Sequence, residues 1–250
     1  MMQYIYNLVS DDKRRYFEYQ HMKNMSNGFD EVASSTIEWL ESNEARDFFF
    51  NQRGRLSTFM HESGIEERWS EIIERRANTG ADITTQIYEY AKKLNMEGDL
   101  VRYTSTERKI INSLADSSYE LIRNVSNDQI RGIRQALVRD YANGENPRQT
   151  SIKDMILEPI NGMTPSARAE MIARTETGRS MNTAMLEQYR SDGIQFVTLL
   201  TSGDCDECNA YAVEEDGSEK LVPIGEALDA PCIHPNCRCS WVPSTGQMVQ

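Results

Sequence analysis

Cys205-x-x-Cys208, followed by Cys232, His234, Cys237 and Cys239, is the stretch of this sequence whose residue types and spacing best match a metal site. Zinc takes four nitrogen or sulfur ligands in a tetrahedron, and two cysteines three positions apart on a tight loop can turn both thiolates toward one ion. His234-Pro235-Asn236-Cys237 offers a second pair at comparable spacing. The expected ligands are therefore Cys205, Cys208, His234 and Cys237, with Cys239 as a substitute for Cys237. Four protein ligands leave no position for water. Such a zinc is structural, and its binding energy is folding energy for a module too small to bury enough by itself. Two other states of these residues stay open: reduced thiols without metal, and thiol–disulfide chemistry at Cys205 and Cys208, which lack the surrounding βαβ pattern of a thioredoxin. A disulfide framework is disfavoured, because the five cysteines are odd in number and all lie between 205 and 239.

Catalytic zinc has a weaker footing. A zinc deaminase carries H-x-E ahead of P-C-x-x-C, and a zinc protease carries H-E-x-x-H; neither pattern occurs here. Three histidines in all, His21, His61 and His234, leave little material for a general base. No enzyme is expected.

Glu176 is the second residue of chemical interest. In Ile172-Ala173-Arg174-Thr175-Glu176-Thr177 it follows Ala173 and Ile172 by three and four residues, so on a helix it shares their inward face, which Ser180, Thr183 and Ala184 continue. A buried carboxylate needs a partner. A structural ion-pair group of Glu176, Arg174 and Arg179 is expected; Arg174, two positions away, cannot itself face Glu176 on the same helix, so the direct partner is sought in Arg179, Arg168 or Arg238.

The elements that must position these residues are helices first and strands last. Helices are expected over 3–24, 30–50 and 65–78, and another from an Asp82 N-cap through Ile83, Ile87, Tyr90, Ala91 and Leu94, stopped by 95–98. Phe48-Phe49-Phe50 reads as helix core in preference to a docking patch. A helix over 105–124 is followed by Ser126-Asn127-Asp128-Gln129, a capping box opening the next helix, whose apolar face carries Ile130, Ile133, Leu137 and Tyr141 and which ends at Asn143-Gly144. Thr150 caps a short helix with Ile152, Met155 and Ile156. Thr164 caps a longer one that has Pro165 in its first turn and ends at Asp192-Gly193. Beyond Gly193 the period changes to that of strands: one over 194–201, then a hairpin turning at Asp216-Gly217 between strands near 210–215 and 219–224. The fold class is α+β, a mostly helical N-terminal body followed by a small β-rich C-terminal module with a Cys/His zinc knuckle. The expected division is a helical domain over 1–104 and a second over 105–250, made of helices to 193 and the knuckle module over 194–243.

Composition narrows the class further. With 250 residues, 39% hydrophobic and 26% charged, the chain can bury a core without cross-links and is too apolar for wholesale disorder. A net charge of −12 opposes general binding to duplex DNA, whose phosphates reward clustered Lys and Arg. The arginines of the middle region are expected on solvated helix faces. Neither a membrane span nor a secretory leader is read from the apolar pattern, so a cytoplasmic protein is expected.

Taken in order, these features resemble a known family. They are the helix with Ile172-Ala173-Arg174-Thr175-Glu176, its Asp-Gly end, the strand, Ser202-Gly203-Asp204 leading into Cys205-x-x-Cys208, and His234-Pro235-Asn236-Cys237-Arg238-Cys239. Together they look like the Mu F-like minor head proteins of tailed bacteriophages. The resemblance covers roughly 126–243, and the first hundred residues match only in being helical. It implies a minor capsid or head-morphogenesis protein in the virion interior, in the host cytoplasm during assembly. It further implies association with the portal protein and packaged DNA, with scaffold or other internal head proteins as further partners and no membrane. The alternative class is a metal-dependent enzyme, a nuclease or toxin-like hydrolase delivered with the genome, using Glu176, His234 and a zinc-bound water. A zinc-ribbon regulator of nucleic acid is a third class, against which the net charge counts.

Overall fold

The computed structural model describes residues 11–51, 54–94, 103–144, 163–202 and 205–244. Helices come first: α1 (Asp11–Glu41), α2 (Asn43–Asn51), α3 (Leu56–Glu62), α4 (Ile65–Leu94), α5 (Ser105–Ala142) and α6 (Pro165–Ser191). The C-terminal part follows as β1 (Phe196–Leu200), α7 (Asp206–Tyr211), β2 (Val222–Pro223), α8 (Ile224–Asp229) and β3 (Ser240–Pro243). The α+β reading holds, a helical body followed by a small antiparallel sheet with the Cys/His cluster beside it.

Several helix ends follow from local chemistry. Ser42 separates α1 from α2, its hydroxyl accepting the Ala45 amide at 3.1 Å. Thr104 and Glu107 form a reciprocal capping box at the start of α5, with the Glu107 amide on the Thr104 hydroxyl at 3.1 Å and the Thr104 amide on the Glu107 carboxylate at 2.8 Å. Thr164 caps α6 through the Ala167 amide, as its place before Pro165 predicts. Gly193, at φ +79°, closes α6, and the Ile194 amide reaches back to the Tyr189 carbonyl at 3.0 Å.

Two expected breaks are absent. Asp82 lies inside α4, and Ser126 lies inside α5, its hydroxyl donating to the Ile122 carbonyl four residues back. A capping box requires the chain to leave helical geometry. Ile122, Val125, Ile133 and Leu137 are all buried along α5 and keep their common face only if the helix runs on. The tertiary burial outweighs the local cap. The expected helix stop over 95–98 and the Thr150 helix fall outside the described residues.

By contact density the chain forms two units, each built from separated stretches. One gathers 22–81 and 117–169. Its core packs Trp39, Phe49, Leu56, Met60, Ile65, Trp69 and Ile73 with Ile130, Ile133 and Leu137. The buried Trp69 indole donates to the Thr36 hydroxyl at 3.0 Å, which satisfies its one polar atom. Phe49 is buried there and Phe48 stacks on Phe59 and Tyr141, so two of the three consecutive phenylalanines are core, while Phe50 is exposed.

The other unit gathers 1–21, 82–116 and 170–250, and contains the site. Phe17, Ile83, Ile87, Tyr88, Ala91, Leu114, Met181 and Ala184 form one core of it. A second core joins Met185, Leu186 and Tyr189 of α6 to Val197 and Leu199 of β1, Val222, Ala227 and Trp241. The sheet order is β2-β1-β3, both pairs antiparallel, with Val197 opposite Val222 and Leu199 opposite Trp241. The turn at Asp216-Gly217 forms as expected, with Gly217 at φ +81° and the Glu214 amide on the Ser218 carbonyl. Its flanking strands do not. Residues 206–211 are α7, the pairing shrinks to a bridge between Val213 and Glu219, and only Val222–Pro223 remains of the second strand. A helical turn is what places Cys205 and Cys208 on one side, and it displaces the strand.

Candidate metal centre

Cys205 stands at the N-cap position of α7 in extended geometry (φ −130°, ψ 108°), and Cys208 sits one turn on. Both sulfurs lie 3.1 Å from Nε2 of His234. The His234 ring is oriented by its other nitrogen: Nδ1 is 2.6 Å from the Pro235 carbonyl, an acceptor, so Nδ1 carries the proton and donates. In the neutral ring this leaves the Nε2 lone pair facing the two sulfurs, the arrangement that ligating histidines use.

Cys237 and Cys239 approach from the far side of the loop. The Cys208 and Cys237 sulfurs are 3.7 Å apart. Two metal–sulfur bonds of about 2.3 Å at a tetrahedral angle span about 3.8 Å, so this separation suits one shared ion. Two groups of donor atoms, each gathered within 4.8 Å, result: Cys205, Cys208 and His234, and Cys208, Cys237 and Cys239. Cys208 belongs to both and is wholly buried. Cys232 belongs to neither. All five residues named from the sequence as ligands or substitute are therefore brought together.

The electrostatics of the cluster are those of a cation site. The Cys208 backbone amide holds the Cys205 thiol below its usual range, outweighing desolvation, with help from the Cys208 and His234 side chains. At Cys237 burial pushes upward, but the Cys239 amide, the Cys208 side chain and the Ile233 backbone together leave the thiol lowered. Burial raises Cys208 and Cys239. His234 is raised by its bond to Pro235 and by the neighbouring thiols, against burial. Cys232 is pushed up to about 12, first by burial, and stays a neutral thiol. Thiolates favoured at two positions, beside an imidazole, are soft donors that fit zinc, and a metal bound there would displace protons.

The loop carrying the second ligand pair is held by α1 and α6. Asn236 adopts φ +66°, a left-handed conformation that asparagine tolerates, and this reverses the chain between His234 and Cys237. Its amide donates to the Thr175 hydroxyl at 2.8 Å, and its side-chain oxygen accepts from Arg174 at 3.3 Å. Asn182 donates to the Cys239 carbonyl and accepts from the Trp241 amide, both at 3.1 Å. Arg14 of α1 donates to the carbonyls of Arg238 and Cys237 at 2.9 and 3.2 Å. None of Arg14, Thr175 and Asn182 was singled out in the sequence for this role. Asn236 after Pro235 carries a turn signal, but the others give no local sign of what they touch.

Glu176 is buried, as its helical spacing predicts, but the arginines distribute differently. Arg174 pairs with Glu170 and lies 3.9 Å from Glu18, and Arg238 is 3.3 Å from Glu18. Arg168 pairs with Asp128 at 2.9 Å. The Glu176–Arg174 part of the expected ion pair therefore gives way to these pairs, since two helix positions turn the side chains apart. Arg179 does bear on Glu176: burial raises the carboxyl above its usual value, and the Arg179 charge partly offsets this. Oε2 of Glu176 has no hydrogen-bond partner among the described residues.

A carboxyl raised in the folded state contributes stability fully below its unfolded value and loses it as pH rises through the folded one. Glu176→Gln, which cannot ionise, is therefore expected to stabilise the protein by on the order of 1 kcal/mol near neutral and alkaline pH. The gain should vanish in acid. Thermal midpoints of both proteins across pH check this, and a loss that appears only as the pH rises would mean that the carboxylate is needed as a charge.

Fold and site together define a helical protein with a small three-stranded C-terminal module built beside a Cys/His cluster. Residues 131–242, from within α5 into β3, match the family model of Phage Mu protein F like protein, and this segment is Mu F-like. It is a little under half of the chain and contains all five cysteines and His234. The match supports, in general terms, a phage head-morphogenesis protein. Comparison with curated proteins and with solved structures finds no match. No helix among the described residues is long and apolar enough to cross a membrane.

Proposed function

We propose that this chain is a minor capsid protein of a tailed phage, located inside the head and associated with the portal, and that a structural zinc clasps its C-terminal module. Cys205, Cys208, His234 and Cys237 hold the metal. The observation that carries the zinc reading is the convergence of two groups of soft donors that share Cys208: Cys205 and His234 on one side of it, Cys237 and Cys239 on the other. Cys237 is preferred to Cys239 as fourth ligand because its sulfur stands 3.7 Å from that of Cys208, the separation that suits one shared ion. When bound, zinc supplies a cross-link that fixes α7 to the loop over 232–239.

The role is structural in this reading. Thr175, Gly178 and Asn182 turn one side of α6 to the ligand loop. At 100° per residue Glu176 points away from that side, so the carboxylate of a hydrolytic centre is not supplied from it. The portal and other head proteins are preferred to DNA as direct partners of the module. Its exposed residues include Asp206, Glu207, Glu214, Glu215, Asp216, Glu219 and Glu226, and phosphate repels such a surface.

The test is metal content of the purified full chain by elemental analysis, with reactive thiols counted before and after chelation. About one zinc per chain is expected, given a single four-ligand site, with several thiols reacting only once it is removed. A metal-free protein with five freely reactive thiols overturns the zinc reading. Capture of the chain by the portal protein of the same phage, unaffected by high salt, is the expected result for partner choice. Retention on DNA that falls steeply with salt would argue for the genome instead.

A further inference from the structure

We propose that Arg14 is a positioning residue of the metal centre, so that the first described helix determines how tightly the module at the other end of the chain holds its metal. The inference rests on the zinc reading above. Arg14 lies outside the matched family segment and more than two hundred residues from the carbonyls it holds.

Its side chain is only 12% exposed. The two terminal nitrogens fork onto successive carbonyls, Nη1 to Arg238 and Nη2 to Cys237, at 2.9 and 3.2 Å. Those carbonyls belong to the peptides that join Cys237 to Cys239, so the fork fixes the spacing and direction of both thiols. Nε lies 3.4 Å from Glu18, which also neighbours Arg238 at 3.3 Å and Arg174 at 3.9 Å. The guanidinium is thus held on three sides: by its own helix through Glu18, by the ligand loop, and by α6. Gly178 is what admits it. A Cβ there would lie 3.2 Å from Arg14 Nη2 and 3.3 Å from the Cys237 carbonyl, so a side chain at this position displaces one or the other. A planar, permanently charged fork that anchors a ligand loop through its carbonyls, and places positive charge beside thiolates, is an outer-shell interaction of the kind that tunes metal affinity.

The experiment compares wild type with Arg14→Ala, Arg14→Lys and Gly178→Ala as full chains. Zinc affinity is read by competition with a chromophoric chelator, and the thiolate–metal absorption bands are read after cobalt substitution. Arg14→Ala is expected to bind one metal with affinity reduced about 10- to 100-fold and with shifted cobalt bands. Arg14→Lys keeps the charge and loses the fork, so partial rescue is expected. Gly178→Ala improves helix propensity, so a lower affinity in this variant arises from the wedge between Arg14 and Cys237, and it decides the matter should Arg14→Ala fail to fold. Affinity and cobalt bands unchanged in a folded Arg14→Ala, or in Gly178→Ala, overturn the proposal. A wild type that takes up no metal brings down the zinc reading itself, a result separable from any behaviour of the variants.

Discussion

Cys208→Ser is expected to abolish metal binding and unfold the C-terminal module while leaving the unit built on Trp39 and Trp69 folded. Cys208 is the member common to both donor groups, is wholly buried, and lies 3.1 Å from His234 Nε2 and 3.7 Å from the Cys237 sulfur. A serine hydroxyl there is a hard, shorter and protonated donor, so the ion loses its central ligand and a polar group is left in a buried position. Structural zinc sites in small domains contribute on the order of 10 kcal/mol of apparent folding energy. The short strands, Val222–Pro223 above all, cannot replace that by packing.

Zinc content should fall from about one per chain toward none, and Trp241, buried in the core shared by β1 and α6, should become solvated. Cys232→Ser is the internal control. Cys232 belongs to neither donor group, and metal content should not change. In phage assembly the Cys208 variant should enter heads poorly. Full zinc occupancy in Cys208→Ser would mean that the metal is held by a set without the shared thiol, and would sink the ligand assignment.

The Cys/His cluster was legible because metal chemistry imposes both residue type and spacing, and a spacing survives whatever the surrounding chain does. The turn residues around them were legible for a similar reason: Gly193 and Gly217 adopt the positive φ that their Asp-Gly contexts announce. Where a local signal competed with burial, burial won. Ser126 to Gln129 spells a capping box, yet α5 continues, because breaking it would turn Ile122 and Val125 away from the face shared with Ile133 and Leu137. Asp82 likewise lies inside a continuous helix, α4.

What the sequence hid is long-range. Arg14 reads as one more charge on an amphipathic helix, and nothing near it announces carbonyl partners at Cys237 and Arg238. Glu176 was placed correctly on an inward face and Arg179 bears on it, but the partners of Arg174 were not legible, because Glu18 and Glu170 reach it from positions that the Glu176 spacing does not relate.

His21 gives the second large effect, an acid-triggered loss of stability in the unit that holds the Cys/His cluster. Its ring is wholly buried, with Nε2 3.4 Å from the Thr84 hydroxyl and Nδ1 without a hydrogen-bond partner among the described residues. Burial lowers its pKa from 6.5 to about 4. The unfolded chain therefore binds a proton at His21 between those two values while the folded chain does not, and stability must rise with pH across that window. Read downward, stability is complete above pH 6.5, falls as the pH drops below it, and levels off below about 4. Each tenfold weakening of proton binding is worth about 1.4 kcal/mol, which makes the loss about 3 kcal/mol. Glu107, held below its usual value against burial by Lys92 and by the Thr104 cap, loses its own contribution only as its carboxyl protonates, in the more acidic part of the range.

Metal release in acid would act in the same direction in both proteins, so the measurement is the difference between wild type and His21→Gln in thermal midpoint against pH. The variant, neutral throughout, should show a flatter profile between pH 6.5 and about 4. Parallel profiles would place the titrating group elsewhere and show that the buried imidazole accepts its proton without cost.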